Sequence, residues 1–93
     1  MHVLVAYDVV DDRRRVRLAQ RLTELLHRVQ KSVFQGEVDA RTLEQIYERI
    51  HQETNLSEDS VLVLRLCGHC LASIDYLGVA KHFAGGSNED EVI

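Results

Sequence analysis

The chain is 93 residues long, 45% hydrophobic and 28% charged, with a formal net charge of −4. That length sets a single small domain with a modest core, which association with a second copy would enlarge. No apolar run is long enough to span a membrane, the start lacks the basic stretch and cleavage site of a secretory signal, and two cysteines are too few for a disulfide framework, so a cytoplasmic protein is expected.

Residues 2–9 read as the first strand. Val3-Leu4-Val5-Ala6 is an unbroken apolar run, the pattern of a strand covered on both faces and central in its sheet. Asp8 falls while that strand signal is still running, and a carboxylate there is costly unless hydrogen bonds or a cation compensate it. Asp11 or Asp12 is the natural N-cap of a helix over 12–27, with Val16, Leu18, Ala19, Leu22, Leu25 and Leu26 as its apolar stripe. Arg13, Arg14 and Arg15 crowd its first turn, against the helix dipole, which suggests that they serve something outside the helix.

Residues 28–36 alternate as a second strand, and Gly36 is free to turn the chain at its exit. Asp39 caps a second helix, about 40–53, with a stripe of Leu43, Ile46, Tyr47 and Ile50. Residues 55–59 form a polar turn and 60–66 a strongly apolar third strand. Cys67 to Cys70 is expected as a loop and 71–77, alternating through Ala72, Ile74 and Tyr76, as a fourth strand. Beyond Gly78, Val79 to Phe83 is apolar enough to pack, 85–87 reads as a hinge and 91–93 as a short edge strand.

The order counted is β-α-β-α-β-β. A ferredoxin-like domain reads βαββαβ, and the two agree if residues 28–38 are two short strands. Either way the class is α+β, an antiparallel sheet with two helices on one face. The other face needs a partner, which favours a homodimer through the sheets. All of residues 1–93 are expected in this one domain, with 79–93 a C-terminal segment.

Charge is unevenly distributed. Between Arg13 and Lys31 there are seven Arg or Lys and one acid, Glu24. A basic face on an acidic protein can hold a phosphate backbone locally; the plainer alternative is a solvated helix face. Arg15, Arg17 and Arg28 are candidates for bidentate phosphate contacts, with Arg13 and Arg14 adding charge further out. Few acids lie among them, so partners within the helix are scarce.

Asp8 is the sharpest chemical signal. It suits a hard divalent cation, magnesium with manganese as a substitute, and two copies meeting at a dimer axis would make a better site than one. The alternative is a carboxylate that caps the helix or accepts from backbone amides. Phe34 is either a stacking platform for a base or a core residue. Cys67-x-x-Cys70 is half a zinc site, needing a second pair from a dimer mate or from His27, His51 or His82; two reduced thiols in a tight turn is the favoured reading. Redox use would want the pair at a helix start near a βαβ unit, which this segment does not offer.

Taken in order, Tyr7-Asp8, Asp11-Asp12, Arg15-x-Arg17 and Arg28-Val-Gln30-x-Ser32-Val-Phe34-x-Gly36-Glu37 resemble the small CRISPR-associated adaptation proteins of the Cas two family, over residues 2 to about 78. The resemblance implies a ferredoxin-like homodimer with Asp8 of both subunits facing magnesium and the C-terminal segment, 79–93, of each subunit packed against the sheet of its mate. It marks Asp8, Arg15, Arg17, Arg28 and Phe34 as positions tied to nuclease activity. It implies a metal-dependent endonuclease on single-stranded RNA or double-stranded DNA, and a dimer that bridges integrase subunits during spacer acquisition. There the basic surface, with Arg13 and Arg14, would hold duplex DNA by its backbone. A catalytically silent scaffold that binds prespacer DNA is the second reading. A small regulatory module binding metal through Cys67 and Cys70 is the third.

Overall fold

The structure, a computed structural model, describes residues 1–78. The expectations for residues 79–93 (the packing of Val79 to Phe83, the hinge, the edge strand and the placement on a dimer mate) lie outside the described residues.

The elements run β1 (His2–Asp8), α1 (Asp12–Thr23), β2 (His27–Gln30), β3 (Val33–Glu37), α2 (Ala40–Glu53), β4 (Ser60–Leu66) and α3 (Gly68–Ala72). The sheet order is β2-β3-β1-β4 and every pairing is antiparallel. This is the ferredoxin-like βαββαβ arrangement, followed by a short extra helix. The single strand expected over 28–36 is a hairpin, broken by a turn at Lys31 and Ser32 and by a register shift between Arg28 and Gln30. The ladder at the irregularity strengthens local twist and lets β2 fold back on β3.

The central place of β1 follows from its run of Val and Leu. It pairs β3 from His2↔Glu37 to Ala6↔Val33 and β4 from His2↔Leu66 to Asp8↔Ser60. Val3, Val5 and Tyr7 point to the helices and are buried, with Phe34, Leu18, Leu22, Ile46 and Ile50, in one core. The amphipathic stripes of α1 and α2 close that core from one side. Asp11 caps α1 by accepting from the Arg14 amide at 3.0 Å, and Asp39 caps α2 by accepting from the Thr42 amide at 2.7 Å.

Three element expectations are corrected. Helix α1 ends at Thr23, not at 27, because the Leu25 and Leu26 amides both turn back to the Leu22 carbonyl and Thr23 Oγ1 bonds to the Ala19 carbonyl. Leu26 then lies over Gly36, whose missing Cβ would stand 3.0 Å from Leu26 Cδ2. Val16 and Tyr47, counted in the stripes, are exposed at 54% and 40%, so the burying faces are narrower than the sequence pattern. The expected fourth strand over 71–77 is α3 and an irregular run: the Leu71 amide donates to the Cys67 carbonyl and Ser73 Oγ to the Cys70 carbonyl, which starts a helical turn where alternation suggested a strand.

The face of the sheet away from α1 and α2 carries Leu4 and Ala6, opposite Leu64 and Leu62 in register. Leu62 and Leu64 are 54% and 42% exposed. At the far end of this face His2 Nε2 meets Gln35 Oε1 at 2.8 Å, and Gln35 Nε2 donates to the Tyr76 hydroxyl. Among the described residues no helix is long and apolar enough to cross a membrane.

Asp59 ties the start of α1 to the loop before β4. Its buried carboxylate accepts from Arg14 Nε and Nη2 at 3.1 and 3.0 Å and from the Val10 and Asn55 amides at 3.0 and 2.8 Å. The Arg14 hydrogen bonds, with those two amides, outweigh desolvation and pull its pKa down to about 2. A folded pKa below the unfolded value means stability that is present above about pH 4 and is lost as pH falls towards 2. Asp59→Asn is therefore expected to melt lower than wild type near neutrality and to show a flatter dependence of Tm on pH across that acidic window, read by thermal melts in a buffer series.

Candidate phosphodiester site

Asp8 closes β1 at the edge where β3 has already ended, so only Ser60 of β4 lies beside it in the ladder. The strand alternation that sends Tyr7 into the core sends Asp8 to the opposite face, away from α1 and α2. Its carboxylate is exposed and makes no hydrogen bond or ion pair among the described residues, so the capping role considered from sequence belongs to Asp11. The surrounding carboxylates are all held: Asp12 by Arg15, and Glu58 and Asp59 by Arg14. Asp8 and Ser60 line a shallow depression with Ala6 and Leu62.

Tyr7 sits on the other side of the strand. Its hydroxyl is buried without a hydrogen-bond partner among the described residues. Burial raises its pKa, while the nearby Arg28 and Arg15 guanidiniums pull it down. The Tyr7 amide donates to the Ser32 carbonyl at 3.1 Å, which brings the β2–β3 turn against the end of β1.

That turn and α1 enclose a groove of about 620 Å³ lined by Arg15, Gln20, Thr23, Arg28, Lys31 and Ser32, with no carboxylate in its walls. Arg15 is oriented by its bonds to the Val9 carbonyl, at 2.9 Å, and to Asp12. Arg28 donates through Nε and Nη2 to the Lys31 carbonyl at 3.1 and 2.7 Å, and its guanidinium lies 5.6 Å from the centre of the Phe34 ring. Such a cation over an aromatic face is held in place electrostatically. Lys31, Gln20, Thr23 and Ser32 were not singled out from sequence; a hairpin turn at Lys31-Ser32 would have pointed to the first and last of them.

The remaining sequence candidates are scattered. Arg13 is exposed and forms no ion pair among the described residues. Arg14 is taken up by Asp59 and Glu58, at 3.0 and 3.2 Å. Arg17 pairs with Glu53 at 2.9 Å, on the side of α1 that meets α2. The scarcity of acids near these arginines in sequence is offset by acids from α2 and from the loop before β4. Glu53 is held well below the usual carboxylate range by hydrogen bonds from Arg21 and then Arg17. Phe34 is fully buried and stacked near Tyr7, ring centres 6.2 Å apart, so no base can reach its face.

A single exposed carboxylate suits a hard cation that keeps most of its waters. Among the described residues no group of three or more His, Cys, Asp or Glu converges, so one chain supplies no closed cage. The donor set fits magnesium or manganese only if a second carboxylate comes from elsewhere.

Comparison with known proteins places this geometry in a family. The family model described as CRISPR associated protein Cas2 matches residues 1–74. A protein named CRISPR-associated endonuclease Cas2 2, from Thermus thermophilus, is 39% identical over 75 residues, 81% of this chain and 79% of its own length. One named CRISPR-associated endoribonuclease Cas2 3, from Synechocystis, is 35% identical over 75 residues, 81% of this chain and 82% of its own. Among solved structures, a hypothetical protein from Thermus thermophilus superposes with a TM-score of 0.77 at 35% identity, over 89% of this chain and 96% of its own. Cas2 from Streptococcus pyogenes superposes with a TM-score of 0.75 at 29% identity, over 84% of this chain and 100% of its own.

Proposed function

Because the chain belongs to the CRISPR-associated Cas2 family, we propose that it is a metal-dependent endonuclease of phosphodiester bonds, working in CRISPR adaptation as a homodimer in which Asp8 of each copy holds one divalent cation. The observation that carries this reading is the Asp8 carboxylate, exposed at the end of the central strand and without a partner among the described residues, beside acids that are engaged. The relatives' names, endonuclease and endoribonuclease, point the same way.

Each side chain has a distinct task. Asp8 supplies a cation ligand, and its mate in the second copy supplies the other. Bound there, magnesium or manganese would neutralise a phosphate oxygen and activate the attacking water. Arg15, Arg28 and Lys31 present positive charge and N–H donors to the neighbouring phosphates. Phe34 holds Arg28 from below and acts as a positioning residue. Arg17, half-exposed, and Arg13 extend the charged surface along α1.

The dimer is supported by the sheet face away from α1 and α2. Leu62, beside Asp8, and Leu64, further along the strand, are large apolar side chains left half in water among the described residues. Burying them against the same face of a second copy removes that cost and brings the second Asp8 near the first. Leu64→Lys is expected to fold, since this side chain is not in the core, but to sediment as a monomer and to lose cleavage.

The competing reading is a scaffold that bridges integrase subunits and grips duplex DNA without cutting it. It is favoured by one observation: among the described residues no group of three or more possible metal ligands converges at Asp8. Cleavage of labelled single-stranded RNA and duplex DNA, each with magnesium and with a chelator, decides between them. Chelator-sensitive cutting supports the nuclease and names its substrate. Salt-dependent binding of duplex DNA without cutting supports the scaffold.

A further inference from the structure

Cys67 and Cys70 take no part in the site above. Both are exposed free thiols. Cys67 directly precedes α3 and Cys70 lies within it, so the pair is not in the open loop expected from sequence. A helical step of three residues separates Cα atoms by about 5 Å, inside the window of about 4.4–6.8 Å that a disulfide spans.

The two residues already interact: the Cys70 amide donates to Cys67 Sγ at 3.4 Å. That amide lowers the pKa of Cys67, while the neighbouring Cys67 sulfur raises that of Cys70. With only five residues, α3 supplies little dipole; the Cys70 amide, 3.4 Å from Cys67 Sγ, makes the difference. Among the described residues no third or fourth ligand joins them, which argues against a metal cage built by one chain.

We propose that Cys67 and Cys70 are a reactive dithiol that exchanges with low-molecular-weight disulfides, Cys67 attacking and Cys70 resolving. The Cys67 thiolate bonds to one sulfur of the disulfide, whose S–S bond breaks and releases one thiolate. Cys70, on losing its proton to solvent or to that thiolate, attacks Cys67 Sγ and expels the second thiolate. The two protein thiols are oxidised to one disulfide, and the small disulfide is reduced to two thiols. The order follows the general rule that the more ionised, accessible thiol initiates exchange.

The test uses the reduced full-length chain, incubated with oxidised glutathione, quenched in acid and then alkylated. Intact mass should show a chain that has lost two hydrogens and takes no alkyl group. Cys70→Ser should accumulate a glutathione adduct on Cys67, and at neutral pH it should do so several-fold faster than Cys67→Ser acquires one on Cys70. The proposal is overturned if both cysteines of the wild type remain alkylatable, if the disulfide joins two chains, if Cys70 reacts first, or if zinc copurifies and shields the thiols. The wild-type mass decides the matter even if a variant folds poorly.

Discussion

Asp8→Ala is expected to lose metal-dependent cleavage by at least about 100-fold, given that second-shell partners of metal ligands alone are worth about 10–100-fold, while melting close to wild type. The two halves of that expectation have one origin. The Asp8 side chain makes no hydrogen bond or ion pair among the described residues and is exposed, so its removal leaves no buried donor unsatisfied and no cavity. In the proposed dimer the change should relieve repulsion, because two carboxylates brought together without a cation disfavour each other's charge. Asp8→Asn is the sharper control: it keeps the shape and removes the charge that a hard cation requires. Cleavage assays and thermal melts on the same preparations separate the outcomes. Loss of cleavage together with loss of folding would remove Asp8 from the chemistry and make it a structural residue. Unchanged cleavage would leave the scaffold as the function.

How far the sequence anticipates this can be followed residue by residue. The strand β1 and the place of Asp8 at its end are legible because a run of Val and Leu is a local signal, and so is the carboxylate that interrupts it. The Asp11 and Asp39 caps are legible for the same reason. The hairpin at Lys31-Ser32 is not, because neither residue carries the glycine, asparagine or proline chemistry that usually marks a turn; the fold is recovered only when the order of elements is compared with a known one. The pairing of the arginines is least legible of all. Arg14 meets Asp59 across 45 residues of sequence and Arg17 meets Glu53 across 36, so a count of acids within α1 overstates how free these cations are. The separation leaves Arg15, Arg28 and Lys31 as the cations of the groove, a smaller set than the basic run from Arg13 to Lys31 suggests. Residues 71–77 show the opposite failure, a period-two pattern too short to outweigh the turn started by hydrogen bonds at Cys67 and Cys70.

Phe34→Ala is expected to cost about 3–5 kcal/mol and to lower Tm by more than about 10 °C for a domain of this size. Phe34 is fully buried at the centre of the sheet, opposite Val5 in register and stacked near Tyr7, so truncation removes its transfer energy and leaves a cavity that a sheet backbone cannot readily collapse. It also takes away the ring beneath Arg28, which loosens one wall of the groove. A domain whose whole stability is on the order of 5–15 kcal/mol has little left after such a loss. Phe34→Ala alone would therefore confuse a role in chemistry with a role in folding. Phe34→Leu distinguishes them: it keeps most of the buried volume and removes only the aromatic face. At a temperature well below its melt, Phe34→Leu should retain most cleavage, with a weaker hold on substrate through a less ordered Arg28. Complete loss of cleavage in a folded Phe34→Leu would show that the ring itself touches the reacting nucleic acid, which requires an opening of the sheet that its burial speaks against.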